Sequence, residues 1–338
     1  PPPPPPHPPP RPPHPPRARA QRLGPPSTEP SSHAQAQRTD TGERNETAGD
    51  TTTSHDHLDY HGSMGDYVRA KMRLFASEGL RNALINVDDE LAALVAAAVA
   101  EGVQILTYSA SGAGADVRVV NAEFHPGGVR GELHTPWGRG AFDSPLPGAF
   151  NLANLAAAVA SLALAGEDFD AILARVRELR SVPGRMQRIP NDLGIQVIVD
   201  YAHTPDALEQ ALAALRPHVD GSLVTVFGCG GDRDREKRQI MGRIACAACD
   251  QVILTSDNPR SEDPIAILRD IESGCSGNYA LEPDRARAIA AAVASASRGD
   301  CVLIAGKGHE DYQVVEGERL YFSDAEEAAR ALAGRQAQ

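Results

Sequence analysis

The chain has 338 residues, of which 41% are hydrophobic and only 4% aromatic, so aliphatic side chains must fill its core. Its net charge of −12 argues against nonspecific nucleic-acid binding, which depends on lysine and arginine side chains. The sequence has no apolar run of about 18 residues, and we therefore expect no membrane span and no membrane partner. Five cysteines, an odd and sparse number, predict reduced thiols and a cytoplasmic protein.

The first part of the chain differs in composition from the rest. Residues 1–30 contain 16 prolines, and residues 31–53 have almost no apolar side chains, which predicts a segment unable to bury a core. The first methionine is Met64, so we expect a fragment, or a beginning read from the wrong start or frame. Residues 1–54 are therefore interpreted as a Pro-rich segment that is disordered or mis-read.

From residue 57 onwards the pattern becomes globular. A helix is predicted over Asp66–Ala76, followed by a buried strand at 83–89, a helix ending at Gly102 and a strand at 104–109. A hairpin is predicted from 117–124 and 129–135 across the turn HPGG, and two helices follow at 150–166 and 169–179. We assign this part of the chain to one domain, residues 55–187.

Strands and helices alternate in the remainder, residues 188–338. Strands are predicted at 196–202, 222–229, 251–256 and 301–306. Helices are predicted at 204–218, 235–248, 263–273, 284–297 and 324–332. This alternation predicts an α/β domain with a mostly parallel sheet that is covered on both faces.

Three segments before residue 210 carry polar side chains that suggest chemistry. DHLDYHGSMGDYVRAK, residues 56–71, places His57 before a helix and Lys71 on it. Asn151 begins a helix in FNLANLAAA and Arg185 follows a Pro-Gly turn in VPGRM, where each alone is typical of a cap or a turn. DYAHTPDALE starts with Asp200 at the end of an apolar strand, a position that lines ligand crevices in parallel sheets.

Three further motifs follow neighbouring strands of the predicted parallel sheet. They are GCGGDRD at 228–234, DNPR at 257–260 and GKGHEDYQ at 306–313. Because the carboxyl ends of parallel strands meet at one edge, these loops can converge on one ligand. Together they offer two arginines for carboxylates and an acid for an ammonium group, a set that suits a small zwitterion. The residues concerned are Arg233, Asn258, Arg260 and Glu310.

Taken together, from about residue 55 to 335, these strings resemble the Mur ligases, the ATP-dependent amide-forming enzymes of cell-wall peptide synthesis. DNPR with GKGHEDYQ is similar to the members that add meso-diaminopimelate to UDP-N-acetylmuramoyl-L-alanyl-D-glutamate. The resemblance implies the remainder of a central ATP-binding domain over 55–187 and a Rossmann-like amino-acid-binding domain over 188–338. It also implies an acyl phosphate, formed from ATP on the D-glutamyl γ-carboxylate, which the diaminopimelate amine attacks. We expect a monomer.

The resemblance assigns roles residue by residue. It implies that Lys71 is carbamylated and binds Mg²⁺ together with His57, which is sensible because a carbamate is a hard oxygen ligand. It implies that the nucleotide is bound by Asn151, Arg185, Asp200 and His203. It implies that diaminopimelate is bound by Arg233, Asn258, Arg260, Gly306 and Glu310.

The sequence also departs from the family pattern. No phosphate loop ending in Gly-Lys-Thr or Gly-Lys-Ser is found, the acidic Mg²⁺ ligand expected before His57 is missing, and nothing resembles the UDP-sugar domain. His55 stands where relatives have arginine. A catalytically inactive fragment that at most binds the amino acid therefore stays open. Another Mur-type amide ligase also stays open, such as a lysine-adding enzyme or a folylpolyglutamate or cyanophycin synthetase, although DNPR with GKGHEDYQ disfavours it.

Overall fold

A computed structural model describes residues 47–50, 64–112 and 114–336 of the chain. Most of the predicted segment 1–54 lies outside these residues, and so does His57. Within the described ranges no helix is long and apolar enough to cross a membrane. The strands in this described part of the chain form two six-stranded sheets and one small hairpin.

The first sheet contains its strands in chain order, β1 to β6. The first four strands pair in parallel, and β4, β5 and β6 pair antiparallel. The strands are β1 (Thr47–Asp50), β2 (Asn82–Asn86), β3 (Gln104–Ser109), β4 (Val117–His125), β5 (Gly128–Thr135) and β6 (Gly138–Ser144). The predicted strand at 104–109 and the predicted hairpin are confirmed.

Two of these strands differ from the sequence prediction. β1 lies inside the segment predicted to lack structure, and for these four residues that prediction is wrong. Parallel pairing with β2 buries Ala48 to 5% exposure, a stabilisation that comes from a distant partner and not from local composition. β6 was not predicted as a strand, and it contains two glycines, which lower strand propensity. One of them, Gly140, is required by packing, since a Cβ there would lie 2.4 Å from Leu173 Cδ1.

Helices cover the first sheet and confirm the predicted order. They are α1 (Met64–Phe75), α2 (Ala92–Ala98), α3 (Ala149–Leu164) and α4 (Phe169–Arg175). On α3, Leu152, Leu155, Ala156 and Val159 are buried, with the spacing of an amphipathic helix. They pack in one cluster with the core side chains of β2 to β5. This apolar face is why the alanine-rich segment folds as a helix against the sheet.

The second sheet has the strand order β11-β10-β9-β12-β8-β7. All neighbours pair in parallel except β7 with β8. Its strands are β7 (Gln187–Arg188), β8 (Gln196–Asp200), β9 (Leu223–Phe227), β10 (Gln251–Leu254), β11 (Tyr279–Leu281) and β12 (Cys301–Ala305). β7 spans the predicted domain boundary at 187–188, and Met186 already belongs to the core of this sheet.

Helices lie on both faces of the second sheet. They are α5 (Pro205–Leu215), α6 (Glu236–Ala248), α7 (Pro264–Glu272), α8 (Arg285–Ser295) and α9 (Asp324–Gln336). Alternate strand residues enter two separate core clusters, one with α5, α6 and α7 and the other with α8 and α9. The central strands are therefore buried on both sides, which explains their nearly continuous apolar sequences. The predicted α/β class is confirmed.

A small hairpin was not predicted. β13 (Tyr312–Val315) and β14 (Glu318–Tyr321) pair antiparallel, and Val315 also forms a parallel bridge with Arg260. The hairpin contains the end of the GKGHEDYQ motif, which the sequence analysis treated as a loop. The hairpin therefore connects two of the predicted motifs.

A buried histidine joins the domains of the two sheets. His218, 1% exposed, accepts a hydrogen bond at Nε2 from the Gly148 N–H at 2.9 Å. Its Nδ1 lies 2.8 Å from the His125 carbonyl oxygen, to which it donates. Burial lowers the pKa of His218, and the contact of Nε2 with an N–H group requires the neutral ring.

Acidification should therefore weaken this junction. The unfolded chain binds a proton at His218 as pH falls through about 6.5, whereas the folded protein resists it. The stabilisation is present above that pH and is lost as pH falls towards the lowered folded pKa. When pH is lowered from 7.5 to 5.5, the free energy of unfolding measured in urea should fall for both proteins. The fall should be about 1 kcal/mol smaller for His218→Gln than for the unsubstituted protein. His309→Gln, at an exposed position, serves as the control. Equal losses in all three proteins would contradict this role.

Candidate functional site

The carboxyl ends of β8, β9, β10 and β12 lie along one edge of the second sheet because these strands are parallel. In the sheet, β12 lies between β8 and β9, although both of these strands precede it in the sequence. Such a switch in strand order opens a crevice at the carboxyl edge. Four of the motifs predicted to carry chemistry follow these four strands: DYAHTPDALE, GCGGDRD, DNPR and GKGHEDYQ.

One side of this edge holds a compact polar cluster. The Asn258 Nδ2 donates to Glu310 Oε2 at 3.1 Å. The Lys307 ammonium lies beneath them, 0% exposed, and donates to Asp257 Oδ1 and Asn258 Oδ1, both at 3.1 Å, and to Glu310 Oε2 at 3.5 Å. Charge-assisted hydrogen bonds of this kind hold both acids in fixed orientations.

Arg260 is fixed by its backbone as well as its side chain. Its φ of 53° lies in the left-handed region. The Arg260 N–H donates to the Val314 oxygen at 2.9 Å, and the Glu316 N–H donates to the Arg260 oxygen at 2.8 Å. The guanidinium donates from Nη1 to the Gly231 oxygen at 2.7 Å. The β13–β14 hairpin thus holds Arg260 against the glycine-rich loop.

The remaining predicted amino-acid ligands border the same cluster. A Cβ at Gly230 would lie 2.7 Å from Arg260 Nη1 and 3.8 Å from Arg233 Cγ, so both arginines flank this glycine. Arg233 is exposed. The Gly306 N–H donates to the Asp200 oxygen at 3.1 Å, and a Cβ at Gly306 would lie 3.8 Å from Asp257 Oδ2. The structure therefore brings all five predicted residues to one edge.

The other side of the edge is built around Tyr201. The Arg185 guanidinium lies 4.8 Å above the Tyr201 ring, and the His203 and His309 rings lie 4.6 Å and 5.3 Å from it. Arg185 is exposed, so its guanidinium is accessible to an anionic ligand. An aromatic ring beside an exposed guanidinium suits a base and its phosphates.

Asp200 shapes the turn next to this cluster. Its carboxylate accepts hydrogen bonds from the Met186 and Ala202 N–H groups, each at 2.8 Å. Burial raises the pKa of Asp200, and these two bonds oppose the rise. The side chain therefore positions the segments that carry Arg185 and His203.

The other predicted site residues lie elsewhere or outside the described part of the chain. Asn151 is in the first turn of α3, where its amide donates to the Pro147 oxygen at 2.6 Å and accepts from Asn154 at 3.3 Å. Lys71 lies on α1, but its side chain is not described, and His57 lies outside the described residues. Across residues 47–50, 64–112 and 114–336, no group of His, Cys, Asp and Glu could hold a metal ion.

Sequence reasoning missed three residues that support the site. Lys307 lies in GKGHEDYQ and Tyr201 lies in DYAHTPDALE. Their positions directly after buried strands could have identified them as site residues. Arg238, fully buried, was assigned only to a helix, but it donates to Glu262 at 2.8 Å and 2.9 Å and to the Gly230 oxygen at 3.2 Å. The Arg238 guanidinium holds the pKa of Glu262 at about 2. This ion pair ties the glycine-rich loop to the segment after DNPR.

The fold and the site define an α/β protein with a cluster of charged side chains beside a ring-and-guanidinium cluster on one edge of a parallel sheet. Residues 27–162 match the Mur ligase middle domain, and residues 184–308 match the family described as Mur ligase, glutamate ligase domain. The chain belongs to the Mur ligase family, as its motifs predicted.

Individual relatives agree with this assignment. The chain is 50% identical over 311 residues to the UDP-N-acetylmuramoyl-L-alanyl-D-glutamate–2,6-diaminopimelate ligase of Gloeobacter violaceus, covering 91% of this chain and 63% of that protein. The ligase of the same name from Coxiella burnetii is 47% identical over 310 residues, covering 90% and 63%. The chain thus spans less than two thirds of the length of these relatives.

Solved structures show the same fold. A structure of a ligase of that name aligns with a TM-score of 0.67 and 42% identity, covering 86% of this chain and 61% of the other. MurF ligase from Thermotoga maritima in complex with ADP aligns with a TM-score of 0.61 at 17% identity, covering 86% and 61%. At that identity the second alignment supports the fold alone.

Proposed function

We propose that the chain represents an ATP-dependent ligase that adds meso-diaminopimelate to UDP-N-acetylmuramoyl-L-alanyl-D-glutamate in cell-wall synthesis, acting in the cytoplasm as a monomer. The observation that carries the proposal is the convergence of Asn258, Arg260 and Glu310 on one strand edge. The names of the relatives support the choice of substrates.

The charges of the cluster suit diaminopimelate. Three cations, Arg233, Arg260 and Lys307, stand against two acids, Asp257 and Glu310, which gives 3 − 2 = +1. Diaminopimelate carries two carboxylates and two amino groups, and its net charge becomes −1 only when the attacking amine loses its proton during the reaction, so that binding alone releases no proton. The arginines are suited to a carboxylate and Glu310 to an ammonium group. Lysine lacks the second carboxylate and would leave an arginine without a partner.

The proposed reaction has two steps. The D-glutamyl γ-carboxylate oxygen attacks the γ-phosphorus of ATP, which releases ADP and leaves an acyl phosphate. The diaminopimelate amine then attacks the acyl carbon, loses its proton, and expels phosphate as the amide forms. The protein's task is to hold the reactants in line, which supplies much of the rate enhancement in such reactions.

The nucleotide and metal roles rest on the matching residues. Arg185, Tyr201 and His203 fit a nucleotide, because they combine an exposed guanidinium with aromatic and imidazole rings. By resemblance, a carbamylated Lys71 and His57 would hold Mg²⁺, which neutralises phosphate charge. The described residues do not test that pair.

A binding function without catalysis is the second candidate. It is favoured because the five residues predicted to bind the amino acid all lie between 233 and 310, within the domain of the second sheet. This domain has its own parallel sheet and two core clusters. The amino-acid pocket therefore does not depend on the residues of the first sheet for its side chains.

Two measurements on one preparation separate the ligase from the binding function. Phosphate release by the purified chain should depend on ATP, Mg²⁺, diaminopimelate and the UDP-muramoyl dipeptide together. Calorimetry on the same preparation should compare diaminopimelate with L-lysine and L-glutamate. Turnover supports the ligase, and preferential binding without turnover supports the binding function. A preference for lysine or glutamate would reject both.

Lys71 provides a test of the carbamate. In a form of the protein that shows catalytic phosphate release, Lys71→Ala should reduce that release at least about 100-fold, because a metal ligand is lost. Added formate or acetate should restore part of the activity by supplying the missing carboxylate. Arg73→Ala, an exposed position on the same helix, should change little. Absence of rescue would contradict the carbamate.

A further inference from the structure

Lys307 is buried directly beneath the proposed amino-acid pocket. An ammonium group has three N–H donors, and the three oxygen contacts of Lys307 account for all of them. Its side chain has no exposed surface. Lys307 therefore has neither a donor nor an approach for a ligand, and any effect on binding must pass through its partners.

The backbone around Lys307 is built to place this charge inside. Gly306 and Gly308 have φ values of 116° and 54°, which turn the chain on both sides of the lysine. A Cβ at Gly308 would lie 2.7 Å from Tyr201 Cβ. Burying an ammonium is costly unless its partners are well placed, and an apolar side chain would be cheaper if stability alone were at stake.

The contacts of Lys307 determine how Asn258 is oriented. Asn258 Oδ1 accepts from Lys307 Nζ at 3.1 Å and from the Val314 N–H at 3.0 Å. A flipped amide would direct its own N–H donors at both of these donors. The amide nitrogen must therefore face Glu310, to which it donates at 3.1 Å.

Lys307 also balances the charge of the pocket. It lies between Asp257 Oδ1 at 3.1 Å and Glu310 Oε2 at 3.5 Å, so each acid has a cation beside it before any ligand arrives. Without this ammonium, two carboxylates would share the site, and such a pair takes up a proton.

We propose that Lys307 is a positioning residue that fixes the charge and orientation of the Asn258–Glu310 pair, through which the pocket recognises an ammonium group of its amino acid. This inference rests on the proposed function, because it takes that pocket as the amino-acid site. Lys307 does not contact the ligand.

A double-mutant cycle tests the proposal. Binding of meso-diaminopimelate to the full chain is measured by calorimetry for the unsubstituted protein, Lys307→Met, Glu310→Gln and the double variant. Lys307→Met should weaken binding about 10- to 100-fold, but less than about threefold when Glu310 is already glutamine. Arg243→Met, exposed on α6, is the control. Additive effects of the two substitutions would overturn the proposal.

Proton exchange gives a readout that a purely structural lysine would not change. Repeating the titrations in buffers of different ionisation enthalpy should show no net proton exchange for the unsubstituted protein and proton release for Lys307→Met. If Lys307→Met does not fold, the first measurement still decides, since proton release by the unsubstituted protein overturns the proposal. Failure of the unsubstituted protein to bind diaminopimelate would instead reject the proposed function, and the role of Lys307 with it.

Discussion

Replacement of Arg260 with alanine should weaken binding of meso-diaminopimelate about 30- to 1000-fold, because truncating a half-buried cation paired with a carboxylate costs about 2–4 kcal/mol. Among the residues that the structure describes, this guanidinium donates from Nη1 alone, mainly to the Gly231 oxygen at 2.7 Å, which leaves other donors for the ligand. Calorimetry on the purified chain measures the effect.

Two controls separate recognition from backbone strain. Arg260→Lys has the same backbone requirement at a φ of 53° and keeps the positive charge, but it loses the planar fork, so its affinity should be intermediate. Arg243→Ala, exposed on α6, should bind like the unsubstituted protein. Unchanged affinity in a folded Arg260→Ala would remove Arg260 from the binding site.

Replacement of Asp324 with alanine should lower the free energy of unfolding by about 3–5 kcal/mol, because it leaves a buried guanidinium without its counterion. Arg285 and Asp324 are both 0% exposed and form two hydrogen bonds of 2.7 Å and 2.8 Å. The Asp324 carboxylate raises the pKa of Arg285 against the opposing effect of burial. Arg285 also donates to the Ala305 oxygen at 2.9 Å, so the loss should reach the carboxyl end of β12.

Urea unfolding measures this cost, and an exposed pair provides the matched control. Glu123 lies 3.3 Å from Arg130 with both side chains largely exposed, so Glu123→Ala should cost less than about 1 kcal/mol. A similar loss in both variants would show that burial is not what gives the Arg285–Asp324 pair its importance.

The helices and strands that the sequence predicts well are those whose own residues specify both their secondary structure and their burial. β8, β9 and β12 are short apolar runs bounded by turn residues, and such runs are typical of strands buried on both faces. The parallel order of β10 and β12 also predicts that the loops after them converge, which is why Asn258, Arg260 and Glu310 could be grouped from the sequence alone.

The elements that were missed depend on distant partners. β1 has a single buried apolar residue and is stabilised by its pairing with β2. The β13–β14 hairpin gains a further bridge from Arg260, more than fifty residues earlier in the chain. The burial of Lys307 was missed for a related reason. Lysine is almost never fully buried, and here three acceptors from other parts of the site make its burial favourable.

Because the hairpin holds the backbone of Arg260, the position of its guanidinium can change without any change of the residue itself. Val314 and Glu316 bind both backbone groups of Arg260, so the length of the Glu316–Gly317 turn sets the height at which the guanidinium meets its ligand. Insertions in that turn would change which acids the pocket accepts while every charged residue stayed the same, and the ratio of diaminopimelate to lysine affinity would report the change. In the proposed ligase, substrate choice would therefore depend on a surface turn as well as on the charged residues.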